Sequence, residues 1–219
     1  TVDESVVTDG YSKEIKGYVV ENTHIPAQTE VTVSKEWNDN ENQDGIRPKA
    51  VVVTLYADGN ATDKTVTLSN ANGWTDTFTN LPVNANGEKI EYTVQEEFIA
   101  GYTPEITGNA IDGYIITNTH IVEKTSVEVN KVWTDGNNQD GMRTDSVNVT
   151  LYANGVATEK TVTLSAENDW SATFADLDKK ANGKDIAYTV VETVVPAGYT
   201  AEVTGDASEG YTITNTHIP

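Results

Sequence analysis

The chain has 219 residues, 34 acidic against 14 basic side chains for a formal net charge of -20, and no cysteine. Its hydrophobic share of 37%, about 44% once glycine is added, is that of a folded domain rather than an acidic disordered tail. This charge disfavours nucleic acid and anionic lipid as partners, and the missing thiols exclude disulfides, thiolate metal sites and a cysteine nucleophile. No run approaches the roughly 18 apolar residues of a membrane span, and the first residues lack a basic-then-apolar secretory layout, so a soluble chain or a piece of a longer one is expected.

In chain order, the first recognisable element is Gly17-Tyr18-Val19-Val20-Glu21-Asn22-Thr23-His24. It reads as the closing strand of a preceding unit, with residues 1–29 as a terminal fragment plus linker. Short runs rich in Val, Thr, Ile and Tyr follow at about 31–37, 50–57, 64–68, 74–79, 90–98, 102–107 and 113–120. They alternate apolar and polar residues and are broken by the turn pairs Asp58-Gly59, Asn72-Gly73 and Asn86-Gly87. Seven such runs predict an all-β, two-sheet sandwich with no helix-period segment.

Displacing the chain by 96 residues aligns residues 33–39 with 129–135, Gln43-Asp44-Gly45 with Gln139-Asp140-Gly141, and Leu55-Tyr56-Ala57 with Leu151-Tyr152-Ala153. One extra residue near Pro196 then brings Gly113–His120 onto Gly210–His217. Two tandem units are expected, 30–122 and 123–219, joined by segments too short and too poor in Gly and Ser for a flexible tether.

Side chains alternate faces along a strand, so Val31, Val33, Lys35 and Trp37 share a face, as do Val127, Val129, Lys131 and Trp133. Tyr92, Val94, Glu96 and Phe98 form a second apolar row with a carboxyl in it, mirrored by Tyr188, Val190, Glu192 and Val194. A third row, Tyr114, Ile116 and Asn118, carries an amide, and Tyr211, Ile213 and Asn215 repeat it. A buried lysine and glutamate each cost several kcal/mol unless paired, so the three intruders should meet. Two outcomes are open: a buried ion pair with an amide neighbour, or a reactive set. Burial favours neutral amine and neutral acid, and a neutral Lys35 could attack Asn118 while Glu96 polarises the carbonyl and passes the proton to the departing ammonia. Lys131, Glu192 and Asn215 would do the same.

At these residues the sequence resembles the Cna protein B-type (CnaB) repeats of Gram-positive surface adhesins and pilins, over nearly all of residues 30–219. The resemblance rests on Lys-x-Trp, Asp-Gly-x-Arg (44–47 and 140–143), Tyr-Thr-Val-x-Glu (92–96 and 188–192), Gly-Tyr, and Ile-Thr-Asn-Thr (116–119 and 213–216). It implies a transthyretin-like or inverse immunoglobulin-like sandwich. It also implies spontaneous Lys35–Asn118 and Lys131–Asn215 isopeptide bonds, assisted by Glu96 and Glu192, without cofactor or metal. Asn22 has neither lysine nor glutamate of its own in the chain and is expected to stay unreacted.

The implied role is a stalk or spacer of a cell-wall-anchored surface adhesin, extracellular and monomeric, with neighbouring repeats as its partners and a host surface or matrix protein engaged through another region. Direct binding of a matrix protein and membership of a pilin subunit are the alternatives. No arrangement suggests an enzyme acting on an external substrate. The loops 39–45 and 135–141 lack the spacing of a calcium hand and read as Asx-rich turns. His24, His120 and His217 read as joint residues packing between units rather than metal ligands, and the four tryptophans as core or rim rather than a sugar platform.

Overall fold

A computed structural model describes residues 2–218 of the chain. Its strands are β1 (Tyr11–Lys16), β2 (Val19–His24), β3 (Gln28–Asn38), β4 (Ala50–Ala57), β5 (Asn60–Ser69), β6 (Thr75–Pro82), β7 (Asn84–Ala85), β8 (Glu88–Lys89), β9 (Tyr92–Glu96), β10 (Thr103–Asn109) and β11 (Gly113–Thr119). The second repeat supplies β12 (Lys124–Thr134), β13 (Ser146–Ala153), β14 (Val156–Ser165), β15 (Ser171–Asp178), β16 (Lys180–Ala181), β17 (Lys184–Asp185), β18 (Tyr188–Glu192), β19 (Thr200–Asp206) and β20 (Gly210–Thr216). The all-β tandem sandwich expected from the alternation is the architecture observed. By contacts the chain divides into two compact units, residues up to 38 with 47–120, and residues 39–46 with those from 121 onward.

In the first unit one sheet has the order β10-β11-β3-β6 and the facing sheet the order β5-β4-β9. Strands β3 and β11 are parallel neighbours although they open and close the repeat. Val31 and Val33 of β3, Phe78 and Leu81 of β6 and Ile116 of β11 pack against Val51, Val53 and Leu55 of β4, Leu68 of β5 and Tyr92 and Val94 of β9. Each such buried side chain contributes roughly 1.5–3 kcal/mol of transfer free energy, so the core rather than any surface pairing holds the two sheets face to face. The second unit repeats the plan, with β15-β12-β20-β19 facing β14-β13-β18.

Turn chemistry fixes the register. Asp58-Gly59 and Asn86-Gly87 both lie at positive φ, as do Asn154-Gly155 and Asn182-Gly183, the signature of a two-residue turn whose twist matches its strands. Close approach pins the hairpin carrying Asn118, because a Cβ on Gly108 would lie 2.1 Å from the Gly113 carbonyl oxygen.

Four features differ from the expectation. Asn72-Gly73 is not a hairpin turn but the end of a short 3-10 turn, Asn70–Asn72, whose Asn72 side chain accepts from Ser69 N at 2.9 Å and donates to Thr67 O at 2.9 Å. A small extra hairpin, β7 with β8, flanks Asn86-Gly87. Strand β9 stops at Glu96, so Phe98 does not share the buried row and is 89% exposed; Val194 is likewise exposed in the second unit. The N-terminal segment forms a hairpin of β1 with β2, in which Lys13 stands opposite Asn22, and among the described residues neither strand joins another sheet.

Candidate functional site

Strand β3 alternates strictly, burying Val31, Val33 and Lys35. Its neighbour β11 is in register with Lys35 opposite Ile116 and Trp37 opposite Asn118, so Lys35 and Asn118 lie on the same face two positions apart. Glu96 comes from β9 in the facing sheet and closes the set across the core. Lys35 is 5% exposed and Asn118 fully buried. The sequence expectation that these three meet is realised in space.

The Lys35 ammonium nitrogen lies 3.5 Å from Glu96 Oε1 and donates to the carbonyls of Ile116 at 3.0 Å and Glu36 at 3.1 Å. Asn118 Nδ2 donates to Glu96 Oε2 at 2.7 Å, whereas Asn118 Oδ1 is buried without a hydrogen-bond partner. The glutamate therefore touches the nitrogen that would leave, not the carbonyl oxygen, which differs from the expected polarisation of the carbonyl. In the second unit Asn215 Nδ2 donates to Glu192 Oε1 at 2.9 Å, and Lys131 Nζ donates to Val132 O at 3.2 Å and Ile213 O at 3.4 Å.

Electrostatics moves the acid and the amine toward their neutral forms. Burial raises the Glu96 carboxyl above its ordinary value, against the opposing pull of the Asn118 hydrogen bond and the Lys35 charge. Burial raises Glu192 in the same way, opposed by Asn215 and Lys131. Burial also lowers the Lys131 amine to about 8; Glu192 opposes the shift, Arg143 adds to it and Asp135 opposes it. An amine at about 8 has roughly a tenth of its population as free base at neutral pH, against well under a thousandth for an ordinary lysine.

A tryptophan covers each lysine. Lys35 Nζ is 4.3 Å from the Trp37 ring centroid and Lys131 Nζ 4.2 Å from that of Trp133. Trp74 and Tyr102 pack edge-on against Trp37 at 5.3 and 5.0 Å, and Trp170 and Tyr199 against Trp133 at the same distances. Trp74 and Trp170 sit at φ 59° and 57°, a conformation costly for so bulky a residue. Two backbone bonds hold each there: Trp74 N donates to Ser69 O and Trp74 O accepts from Lys35 N, both at 2.8 Å, and Trp170 repeats this with Ser165 and Lys131. The backbone of the lysine is thus tied to a strained aromatic neighbour.

Sequence reasoning missed the arginines as site residues. Arg47 lies 5.4 Å from the Trp37 ring and Arg143 5.5 Å from the Trp133 ring. The signal was available, since these are the only two arginines in the chain and stand 96 residues apart. The loops that precede them are Asx turns, with Asn42 N bonded to Asp39 Oδ1 at 3.0 Å and Asn138 N to Asp135 Oδ1 at 2.9 Å. Among the described residues no group of three His, Cys, Asp or Glu side chains could hold a metal ion. His120 and His217 each pack at a tilt against a tyrosine of their own unit, Tyr102 and Tyr199, and contact the carbonyls of Gly101 and Gly198 at 2.8 Å.

The model of the Cna protein B-type domain matches residues 31–119 and again 127–216. The chain belongs to the Cna protein B-type domain family. As a Cna B-type chain it is 43% identical over its whole length to a collagen adhesin of Staphylococcus aureus, of which it spans 18%. It also matches the crystal structure of two B repeat units (B1B2) of the collagen binding protein of S. aureus, with a TM-score of 0.80 and 42% identity over 97% of this chain and 55% of that one. The Cna B-type assignment and the tandem sandwich thus agree. Among the described residues no helix is long and apolar enough to cross a membrane.

Proposed function

We propose that the two repeats are stalk units of a bacterial surface adhesin, each locked by a self-formed isopeptide bond between its opening and closing strands. The observation that carries this reading is the buried Lys, Glu and Asn set, present in both units with the same asparagine-to-glutamate hydrogen bond, and with a Lys35–Glu96 contact of 3.5 Å in the first. The neutral Lys35 amine attacks Asn118 Cγ, forming a C–N bond; Glu96 takes the proton that the amine sheds and delivers it to Nδ2, which leaves as ammonia. Lys131, Glu192 and Asn215 react alike. No cofactor or external substrate enters the balance, and each site turns over once. Holding amine and amide on neighbouring strands of one sheet face replaces a bimolecular encounter, for which effective molarities of about 10⁵ M or more are attainable.

The topology gives the bond its mechanical meaning. β3 and β11 are adjacent and parallel, so tension entering near Lys35 crosses to Asn118 and bypasses the strands between them. Those residues, Lys35 to Asn118, number 84 and could otherwise extend by more than roughly 200 Å. The collagen adhesin match supports a surface adhesin as the setting, and in this reading the cell-wall attachment and the ligand contact lie elsewhere in a longer protein. Pulling single chains from their ends tests this: the account expects no unfolding step of either repeat before the tether detaches. Two steps that each release a whole repeat would refute it and return the buried set to an ordinary ion pair.

A further inference from the structure

Beyond the lysine, glutamate and asparagine, the second unit contains a polar group that grips the tryptophan over Lys131. Asp135, 2% exposed, receives Arg143 in a two-point ion pair, Nη2 to Oδ1 at 2.6 Å and Nε to Oδ2 at 3.0 Å. Its Oδ2 also accepts from the Tyr199 hydroxyl at 2.9 Å, and the Tyr199 ring packs edge-on against Trp133. The Arg143 backbone N–H donates to Asn138 Oδ1 at 2.9 Å, which fixes the backbone of Arg143 within the loop after β12. One indole thus contacts two cations, Lys131 and Arg143, while two aromatic edges and the loop close it from outside.

We propose that Asp135, Arg143 and Tyr199 form a positioning latch that holds Trp133 over the Lys131 amine and fixes a guanidinium charge beside the same ring. This deepens the isopeptide reading and rests on it. The chemistry is that of two like charges sharing one ring. A guanidinium cannot lose its proton at ordinary pH, so its fixed charge adds to burial, the larger cause, in disfavouring the Lys131 ammonium. The charged groups facing Lys131 are Glu192 from the opposite sheet and Arg143 and Asp135 from the loop. Asp135 would by itself stabilise the ammonium. Paired at two points with Arg143 it is largely neutralised, and Arg143 holds its carboxyl well below the usual range. Tyr199 contributes the bond that orients the carboxylate and the ring edge that packs against the indole. The first unit has Arg47 and Tyr102 in the same places around Trp37.

The test follows bond formation in the full chain made by cell-free translation, sampled by intact mass and peptide mapping at pH 6 to 9, with the first unit as internal clock. Arg143→Gln removes the fixed cation and leaves Asp135 to favour the ammonium. Loss of that charge raises the amine's midpoint and lowers the neutral fraction at pH 7, so the second unit should close several-fold more slowly, with its pH midpoint moved upward. Arg143→Lys should restore most of the rate. Tyr199→Phe keeps the buried ring and loses only the hydroxyl, so it guards against misfolding and should slow closure without affecting the first unit. Unchanged rate and midpoint in Arg143→Gln would overturn the latch, as would slowing with an unmoved midpoint. A wild-type chain that never loses ammonia would instead overturn the isopeptide reading itself.

Discussion

Replacing Glu96 by Gln should leave the first unit folded but open. The amide keeps the size of the carboxyl and an oxygen to accept from Asn118 Nδ2, but it cannot take a proton from the amine and deliver it to the leaving nitrogen. The magnitude follows from the loop the bond would close. Lys35 to Asn118 span 84 residues, for which the chain-entropy estimate for cross-links gives about 4.6 kcal/mol at 25 °C. For a domain of 60–100 residues each kcal/mol moves the melting temperature by about 4–8 °C, so the first unit should melt about 20–35 °C lower. Scanning calorimetry of the whole chain reads this directly, because the second unit retains its bond and its transition stays in place as a reference. Loss of buried hydrogen-bond quality in the variant accounts for only about 1–2 kcal/mol. A variant that regains about 17 Da yet melts within about 5 °C of the wild type would refute the claim that the bond dominates the unit's stability.

Two further outcomes follow from the geometry. In Asn215→Ala the bond cannot form and Lys131 remains a buried amine near 8 against an ordinary value of 10.5; between these the unfolded chain binds more protons than the folded one, so the variant's second unit should gain stability from pH 8 to 9.5. The cross-linked wild type has no titrating amine there, and its melting temperature should lack that rise; parallel pH curves for the two proteins would contradict the assignment. Phe98→Ser should change stability by less than about 0.5 kcal/mol, whereas Phe78→Ala in the core should cost about 3–5 kcal/mol by chemical denaturation, and equal costs would return Phe98 to the buried row.

The reactive set was legible because strand periodicity is strict. A lysine, a carboxyl and an amide each fell on an apolar face, and the same three recurred in the second copy, so their meeting followed from the cost of burying them apart. Phe98 misled because the alternation runs on past Glu96 while the strand does not, since β9 pairs with β4 only as far as Glu96 opposite Val53. The left-handed backbone of Trp74 and Trp170 had no local signal, as nothing in a tryptophan favours positive φ; tertiary bonds to Ser69 and Lys35, and to Ser165 and Lys131, impose it. The arginine latch was hidden for another reason. Arg143 approaches Trp133 from a loop, where spacing carries no face information, and only its recurrence as one arginine per repeat could have marked it. Strand β1 escaped notice because its alternation, Tyr11, Lys13 and Ile15 against Ser12, Glu14 and Lys16, runs for only six residues with a lysine in the middle of its apolar row.

The most direct test of the central claim is the intact mass of the purified chain with peptide mapping of the linked segments. Each Lys-to-Asn bond expels one ammonia, so the account predicts a deficit of about 34 Da, with Lys35 joined to Asn118 and Lys131 to Asn215. Asn22, exposed and bonded through Nδ2 to Glu4 at 3.1 Å, should contribute none, so that Asn22→Ala leaves the deficit as it is. A mass equal to that of the unmodified sequence would contradict the account.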